Sequence, residues 1–358
     1  METSSLFLFL CLRFSQYQSG KYPGSPDIVP FQSDLQMNAS LQSAITPWIC
    51  WLIIQSPTWV LSQQQSHWPP QLSLVEILST ADSARQKAYF YRTQHTQPQP
   101  LLVSLHSWSG DYTQTDPLLE EILARDWNYI HPDFRGPNLR PEACGSDLVI
   151  SDIEDAIYYA MEHGYVDPNQ IHIIGTSGGG YATLLMYMRT KWKINSFSAW
   201  VPISNLVDWY WETKSRALKY AGHILAATSS QESILNVEEA KRRSPFFMEA
   251  PFDKRKESRL RIFCGIHDGY TGSVPISQSV SFYNKLLEDL GGSPAYQVPD
   301  SLLLHLLSKR TASPILTSST KSLGGRRIHL QKAYHNIQLT IFEGGHEMLV
   351  PAVWEYLK

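Results

Sequence analysis

The chain is predicted to fold as an α/β domain with a mostly parallel sheet, because short apolar runs alternate with amphipathic runs from Leu72 onward. Eight runs have the length and composition of strands: 72–78, 87–92, 101–106, 127–131, 171–175, 198–201, 259–265 and 337–342. The first two look like an antiparallel opening pair, and the parallel strands after them need helical crossovers. The clearest crossover is 151–163, where Ile153, Ala156 and Ile157 belong to one apolar stripe.

The most informative segment is IHIIGTSGGG at 171–180, in which a predicted strand enters a full G-x-S-x-G match. The residues that follow, YATLLMYM, favour a helix. In a strand–turn–helix context this motif predicts that Ser177 is a nucleophile. Glycine at 175 and 179 removes side chains that would collide with the flanking strand and helix. The alternative is a glycine-rich turn with an incidental serine.

A serine nucleophile needs a base and a third group that orients the base. His346 follows a predicted strand within FEGGHE at 342–347, and Asp268 follows another within GIHDG at 265–269. We therefore predict a triad of Ser177, Asp268 and His346 in that chain order. The alternatives are a surface-loop histidine and an Asp-Gly pair that only forms a turn.

A tetrahedral intermediate also needs donors for its oxyanion. The backbone N–H of Gly178 lies at the predicted helix start, where partial positive charge collects. The second donor is expected from the loop HSWSG at 106–110, and specifically from the backbone N–H of Trp108. His106 is expected to brace this loop rather than to act in catalysis.

These segments, with DFRGPN at 133–138, make the chain resemble an α/β-hydrolase, closest to the catalytic domain of the prolyl oligopeptidase family and its esterase relatives. The resemblance spans 72 to the C-terminus and implies an eight-stranded, mostly parallel sheet flanked by helices. Two features depart from the family. Val274-Pro275 lies six residues past Asp268 instead of three, and His106 stands where prolyl oligopeptidases proper have a tyrosine donor.

The composition excludes several other classes of protein. A net charge of −3 gives no indication of a nucleic-acid partner. The four cysteines, Cys11, Cys50, Cys144 and Cys264, lack metal-ligand spacing, so neither a metal ion nor a cofactor is expected. The sequence leaves the oligomeric state open.

We expect two parts in the chain, a leader or linker at 1–70 and a catalytic domain at 71–358. The apolar run at 45–61 contains Pro47 and Pro57 and is too interrupted for a stable membrane span. A start at Met37 would place this run where an export signal belongs, which favours a periplasmic or extracellular protein. The alternative is a disordered cytoplasmic leader.

Two long connections interrupt the strand–helix pattern. The segment 205–258 is predicted to form a small helical lid, in which Trp209 and Tyr210 either wall a substrate pocket or pack the lid. The segment 298–327 is interpreted as a surface excursion. Arg135 and Arg140 either bind a substrate carboxylate or brace their own loop.

The sequence thus predicts a serine hydrolase that acts on a small-molecule ester or a short peptide through an acyl-enzyme. At most about 70 residues precede the domain, too few for a β-propeller, and no acidic pair is evident to hold a free amino terminus. These two features favour small acyl or acetylated carbohydrate-type esters. The alternatives are a serine-type peptidase of the prolyl oligopeptidase family and a catalytically silent binding protein with the same fold.

Overall fold

The computed structural model describes residues 68–311 and 322–357. The expected leader lies outside the described residues except for its last three positions. One of these is Trp68, which is buried and stacks on Tyr89 with 4.3 Å between ring centroids. Within the two described ranges, no helix is long and apolar enough to cross a membrane.

Ten strands form one mixed sheet. They are β1 (Ser73–Leu78), β2 (Arg85–Tyr91), β3 (Gln99–Leu105), β4 (Asn128–Pro132), β5 (Val166–Thr176), β6 (Ser196–Trp200), β7 (Arg259–Gly265), β8 (Ser322–Leu323), β9 (Arg326–Tyr334) and β10 (Ile337–Phe342). The order across the sheet is β1-β2-β4-β3-β5-β6-β7-β10-β9-β8. Six neighbouring strands pair in parallel, in the order β4-β3-β5-β6-β7-β10. The strands outside them pair antiparallel. All eight predicted strands are present.

The two additional strands correct the interpretation of 298–327 as a surface excursion. That segment contains a helix and β8, and it ends within β9. Strand β9 pairs with β10 and buries Ile328 and Leu330. It lies towards the edge of the sheet and carries many basic and polar residues, so its sequence lacks the continuous apolar run that marks the central strands.

Ten helices surround the sheet in the described part of the chain. They are α1 (Leu119–Arg125), α2 (Asp147–His163), α3 (Gly178–Arg189), α4 (Leu206–Ser215), α5 (Tyr220–Ala227), α6 (Val237–Arg243), α7 (Phe252–Arg255), α8 (Ile276–Asp289), α9 (Asp300–Lys309) and α10 (Val350–Tyr356). Helix α2 starts earlier than predicted because the Ser146 hydroxyl caps it, accepting from the Val149 N–H at 3.3 Å. The predicted lid contains α4 to α7.

Two hydrophobic clusters define the two faces of the sheet. One cluster contains residues of α2, α3, α4 and α8, including Ile153 and Trp209. The other contains residues of α1 and α10, including Ile122 and Val353. The lid helix α4 and the C-terminal helix α10 therefore belong to opposite faces, while the parallel strands all end at the same edge.

Three acidic residues of α2 are buried. The helix begins at Asp147, and Asp152, Glu154 and Asp155 all lie beyond its first turn. Asp152 pairs with Arg135 at 2.6 Å. The other two accept hydrogen bonds, Asp155 from Thr80 N–H at 2.7 Å and Glu154 from the Thr190 hydroxyl at 3.0 Å. They hold neighbouring segments against α2.

Candidate active site

Ser177 occupies the sharp turn between β5 and α3. Its backbone has φ +60° and ψ −116°, a conformation that costs a non-glycine residue energy. Two backbone hydrogen bonds hold it, from Ser177 N–H to the Trp200 carbonyl and from Tyr181 N–H to the Ser177 carbonyl, both 2.8 Å. The Ser177 hydroxyl does not cap α3. The backbone of Ser177 is strained, the residue is partly exposed and its hydroxyl is not used as a cap. This is the geometry expected of a nucleophile.

The glycines beside Ser177 are required by close backbone contacts. A Cβ on Gly175 would lie 2.3 Å from the Gly179 carbonyl carbon, and one on Gly179 would lie 2.1 Å from the Leu105 carbonyl oxygen. Side chains at these positions would push the turn away from β3, so the crowding inferred from the sequence is present.

Asp268 and His346 lie in contact at the same edge of the sheet, after β7 and β10. The His346 Nδ1 is 2.7 Å from Asp268 Oδ2. The Asp268 side chain is fully buried, whereas the His346 side chain is 24% exposed. Because β5, β7 and β10 are parallel, their ends also bring Ser177 to this edge. Nδ1 faces the acid, which leaves Nε2 as the ring nitrogen available for proton transfer.

The longer loop after Asp268 still supports this carboxylate. Asp268 Oδ1 accepts the N–H of Gly269 at 2.8 Å and that of Val274 at 3.1 Å. The loop also passes close to the acid at Gly272, where a Cβ would lie 2.2 Å from Asp268 Oδ1. The three extra residues therefore wrap around the carboxylate and deliver the Val274 N–H to it.

The Trp108 backbone nitrogen lies against the start of α3. A Cβ on Gly178 would lie only 2.2 Å from the Trp108 nitrogen, so the two backbones are in direct apposition. The Trp108 carbonyl points elsewhere and accepts the Asn138 N–H at 2.9 Å. The Trp108 indole is buried and packs edge-on against Trp209, with 4.7 Å between the ring centroids. Trp108 therefore offers only its backbone N–H to the region beside Gly178.

His106 braces the loop that carries Trp108. Its Nδ1 is 2.9 Å from the Ser107 carbonyl and its Nε2 is 2.8 Å from the Asp133 carbonyl. The ring stacks on Phe134 at 3.9 Å, and burial lowers the pKa of His106 from its ordinary value. Arg140 similarly braces its own loop, donating to the Arg135 carbonyl at 2.9 Å.

The two aromatic residues considered for the substrate pocket are fully buried. The Trp209 indole N–H donates to the Ser273 carbonyl at 2.9 Å, and the Tyr210 hydroxyl lies 3.3 Å from the Ser233 carbonyl. Both side chains pack the lid and tie it to neighbouring segments. The exposed aromatic side chain of α4 is Trp211.

A carboxylate that sequence reasoning did not single out connects the acid and base loops. Glu343 accepts from His267 Nε2 at 2.6 Å and from His329 Nε2 at 2.7 Å. His267 directly precedes Asp268, and Glu343 lies three residues before His346. The two histidines lower the pKa of Glu343 in opposition to its burial. This bridge fixes the spacing between the two loops.

Two further supporting residues were also missed. Gln114 Oε1 accepts the Ser107 hydroxyl at 2.6 Å and the Ser107 N–H at 3.0 Å. Arg216 of the lid donates to the Gly272 carbonyl at 2.6 Å, beside the acid. Neither residue belongs to a motif, so the sequence carries no signal for them, whereas Asn138 lies within the DFRGPN segment.

Comparison with known proteins supports the resemblance seen in these motifs. Residues 146–307 match the sequence model of the prolyl oligopeptidase family, a stretch that includes Ser177, the lid and Asp268. A search of curated proteins finds no significant match.

Solved structures with a similar fold include the acylaminoacyl peptidase of Pyrococcus horikoshii, with 15% identity and a TM-score of 0.53 over 80% of this chain and 40% of that one. Oligopeptidase B from Leishmania major has 14% identity and a TM-score of 0.49, over 80% of this chain and 35% of that one. A puromycin-hydrolyzing peptidase from Mycobacterium tuberculosis has 17% identity and a TM-score of 0.47, over 61% and 34%. The matches therefore cover well under half the length of these proteins.

Fold and site together are those of the α/β-hydrolase class, with the residues that a serine hydrolase uses. Within that class, the chain resembles the catalytic domain of the prolyl oligopeptidase family.

Proposed function

We propose that this chain is a serine-type peptidase that cleaves short peptides or peptide-like amides through an acyl-enzyme. The observation that carries the proposal is the 2.7 Å contact between His346 Nδ1 and the buried Asp268, at the same sheet edge as the strained turn of Ser177. A strained serine and an oriented imidazole are the parts that acyl transfer needs.

In the proposed reaction Ser177 Oγ attacks the scissile carbonyl while His346 Nε2 takes its proton. Asp268 holds His346 in the tautomer with N–H at Nδ1 and stabilises the imidazolium that forms. His346 then gives the proton to the leaving nitrogen, so that the C–N bond breaks and an ester to Ser177 remains. Water, deprotonated by His346, attacks this ester and returns Ser177 to its starting state.

The proposed oxyanion donors are the backbone N–H groups of Gly178 and Trp108. Their close apposition, with the Trp108 carbonyl held by Asn138, fixes both before the substrate binds. Donors that are already oriented need no reorganisation as charge develops, and one such donor contributes about 10²–10³-fold to kcat.

A peptide substrate is favoured over an ester because the family match runs through the nucleophile, the lid and the acid. The ester reading rested mainly on the short segment before the catalytic domain. The two substrate classes share the same acyl-enzyme, so they differ in the leaving group that the site accepts.

The first test has two parts. One is labelling by a fluorophosphonate probe, and the other is turnover of two matched substrates, an acyl p-nitroanilide and a p-nitrophenyl ester that share one acyl group. Ser177→Ala should abolish labelling and lower kcat by at least about 10⁴-fold. Ser198→Ala, a buried serine on the neighbouring strand β6, is the matched control and should behave like the wild type.

The outcomes separate the three candidate functions. Turnover of the anilides together with the esters supports the peptidase. Turnover of the esters alone would replace it with the esterase, and a folded wild-type protein that neither labels nor turns over would be the silent binding protein.

A further inference from the structure

A cavity of about 270 Å³ adjoins the candidate active site at the carboxyl ends of β3 and β5. Its polar lining includes Ser104, Ser107, Gln114, Asp116 and His131. Its apolar wall includes Ile174, which belongs to the hydrophobic cluster of α1 and α10. It also includes Leu105, which belongs to the other cluster.

The cavity reaches the reacting groups through their immediate neighbours. Thr176, which directly precedes Ser177, lines it, as does Ser107, which directly precedes Trp108. Met348, two residues past His346, also lines it. The proposed base must pass its proton to the leaving group, so the leaving group has to lie on the His346 side of Ser177. The cavity contacts residues next to both the nucleophile and the base, Thr176 and Met348.

The cavity holds a buried side chain with unused hydrogen-bonding capacity. His131 is 1% exposed, and within the described ranges neither of its ring nitrogens makes a hydrogen bond of good geometry. Burial lowers the pKa of His131 to about 4, against the Asp116 carboxylate and weak hydrogen bonds to the backbone of Ser104 and Asp111. The neutral ring carries one donor and one acceptor. Leaving both unpaired costs about 1–3 kcal/mol per group unless a bound molecule satisfies them.

Asp116 adds a fixed acceptor beside His131. Its Oδ1 accepts the Leu118 N–H at 2.8 Å, and its Oδ2 accepts the Tyr129 hydroxyl at 2.6 Å. These bonds orient the carboxylate, and carboxylate oxygens have room for further donors. The cavity volume is slightly below the range of about 300–1,000 Å³ typical of sites for whole ligands. It has room for a single side chain together with the atoms beside it.

We propose that this cavity receives the leaving-group half of the substrate, and that His131 selects a leaving amine with a small hydrogen-bonding side chain such as a hydroxyl. The inference rests on the proposed function, since it requires an acyl-enzyme at Ser177. In a peptide, the selected residue is the one that follows the scissile bond.

Acyl transfer to added amines tests this selection directly. The acyl-enzyme, formed from a p-nitrophenyl ester, is offered serinamide or 2-aminobutanamide, which differ by a hydroxyl in place of a methyl group. The amine nitrogen attacks the acyl carbon, a C–N bond forms as the C–Oγ bond breaks, and His346 passes the amine proton to Ser177 Oγ. The ratio of amide to acid products reports how well each amine occupies the cavity.

The wild type should favour serinamide about fivefold, the value of one net hydrogen bond of about 1 kcal/mol. His131→Leu should abolish the preference for serinamide over 2-aminobutanamide. His172→Leu is the matched control and should keep the preference, since His172 is an equally buried histidine that does not line the cavity. A second variant, Ser104→Leu, fills the cavity and should reduce transfer to both amines relative to hydrolysis.

Failure of this inference can be distinguished from failure of the proposed function. If no acyl-enzyme forms, the proposed function is wrong and this inference falls with it. A normal acyl-enzyme with equal transfer to both amines would overturn this inference alone, as would a serinamide preference that survives in His131→Leu. Should His131→Leu not fold, unchanged transfer in Ser104→Leu would equally overturn it.

Discussion

Asp152 and Asp268 are equally buried carboxylates with different partners, and the difference separates an anchor from a reactive group. The side chains of both are 0% exposed. Asp152 is held by Arg135, whose guanidinium also binds Asp82 at 2.7 Å and the Ser79 hydroxyl at 3.0 Å. Asp268 is held by His346, an imidazole that touches the acid with one nitrogen and is 24% exposed.

The comparison shows that burial alone does not identify a catalytic acid. The hydrogen bonds that Arg135 donates to Asp82 and Asp152 raise the pKa of Arg135, so the guanidinium keeps its charge. The guanidinium N–H groups of Arg135 donate to Asp82, Asp152 and Ser79 within the fold. The imidazole partner of Asp268 contacts the acid with one nitrogen and retains a second nitrogen for a substrate. The first pair holds a loop, and the second can move a proton.

Of the substitutions that test this comparison, Asp268→Asn should give the largest effect, a loss of kcat. The amide cannot stabilise the imidazolium and favours the wrong tautomer of His346, so kcat should fall by about 10⁴-fold. The free energy of unfolding should change by less than about 2 kcal/mol, since the amide oxygen can still accept backbone N–H groups. Steady-state kinetics and urea unfolding of the same variant check both. A loss of activity below tenfold would remove Asp268 from the proposed triad.

Asp152→Asn makes the same chemical change in the anchor and should show the reverse pattern. The substitution leaves the buried Arg135 with less compensation, which destabilises the protein by about 3 kcal/mol. The kcat of the folded fraction should stay within about threefold, because no atom of this pair reaches the reacting groups. Urea unfolding measures the first effect and active-site titration with kinetics the second. A stable but inactive variant would contradict the division between the two pairs.

The elements that could be predicted from the sequence are those whose function demands unusual local chemistry. The turn at Ser177 needs glycines at fixed positions, and Asp268 and His346 follow apolar strands, so all three positions stand out in the chain. Even the longer loop after Asp268 was visible as a shift of Val274 and Pro275.

What could not be predicted depends on contacts between distant segments. Arg135 is distinguished from Arg140 only by the carboxylates that α2 and the β1–β2 turn bring to it. Glu343, which follows β10, joins His267, which follows β7, to His329 within β9, a relationship that no spacing in the sequence encodes. Strand β9 was missed because tertiary pairing with β10 overrides its polar composition.

A half-buried carboxylate extends the comparison, because Glu212 has no paired cation in the described ranges. In the described ranges it accepts hydrogen bonds from Gln278 Nε2 at 3.2 Å and from the Ser277 hydroxyl at 3.3 Å, but it forms no ion pair. Burial raises the pKa of Glu212 to about 7, although the Gln278 hydrogen bond opposes the shift. The lid therefore packs on α8 through a carboxyl group that the fold prefers to keep protonated.

Glu212→Gln should stabilise the protein in a pH-dependent way, and by the smallest amount of the three substitutions. Between the ordinary glutamate pKa and about 7 the native state binds more protons than the unfolded chain, so wild-type stability falls as the pH rises through this window. Glutamine cannot ionise, so the variant should gain about 1–2 kcal/mol over the wild type at pH 8 and little at pH 5.

Glu239→Gln is the control of opposite sign. The Arg242 hydrogen bond lowers the pKa of Glu239 to about 2, so its charge stabilises the fold above that range, and the variant should lose stability at pH 8. Urea unfolding of all three proteins at both pH values measures these differences, and a Glu212→Gln gain that is equal at pH 5 and pH 8 would show that Glu212 is ionised in the folded lid.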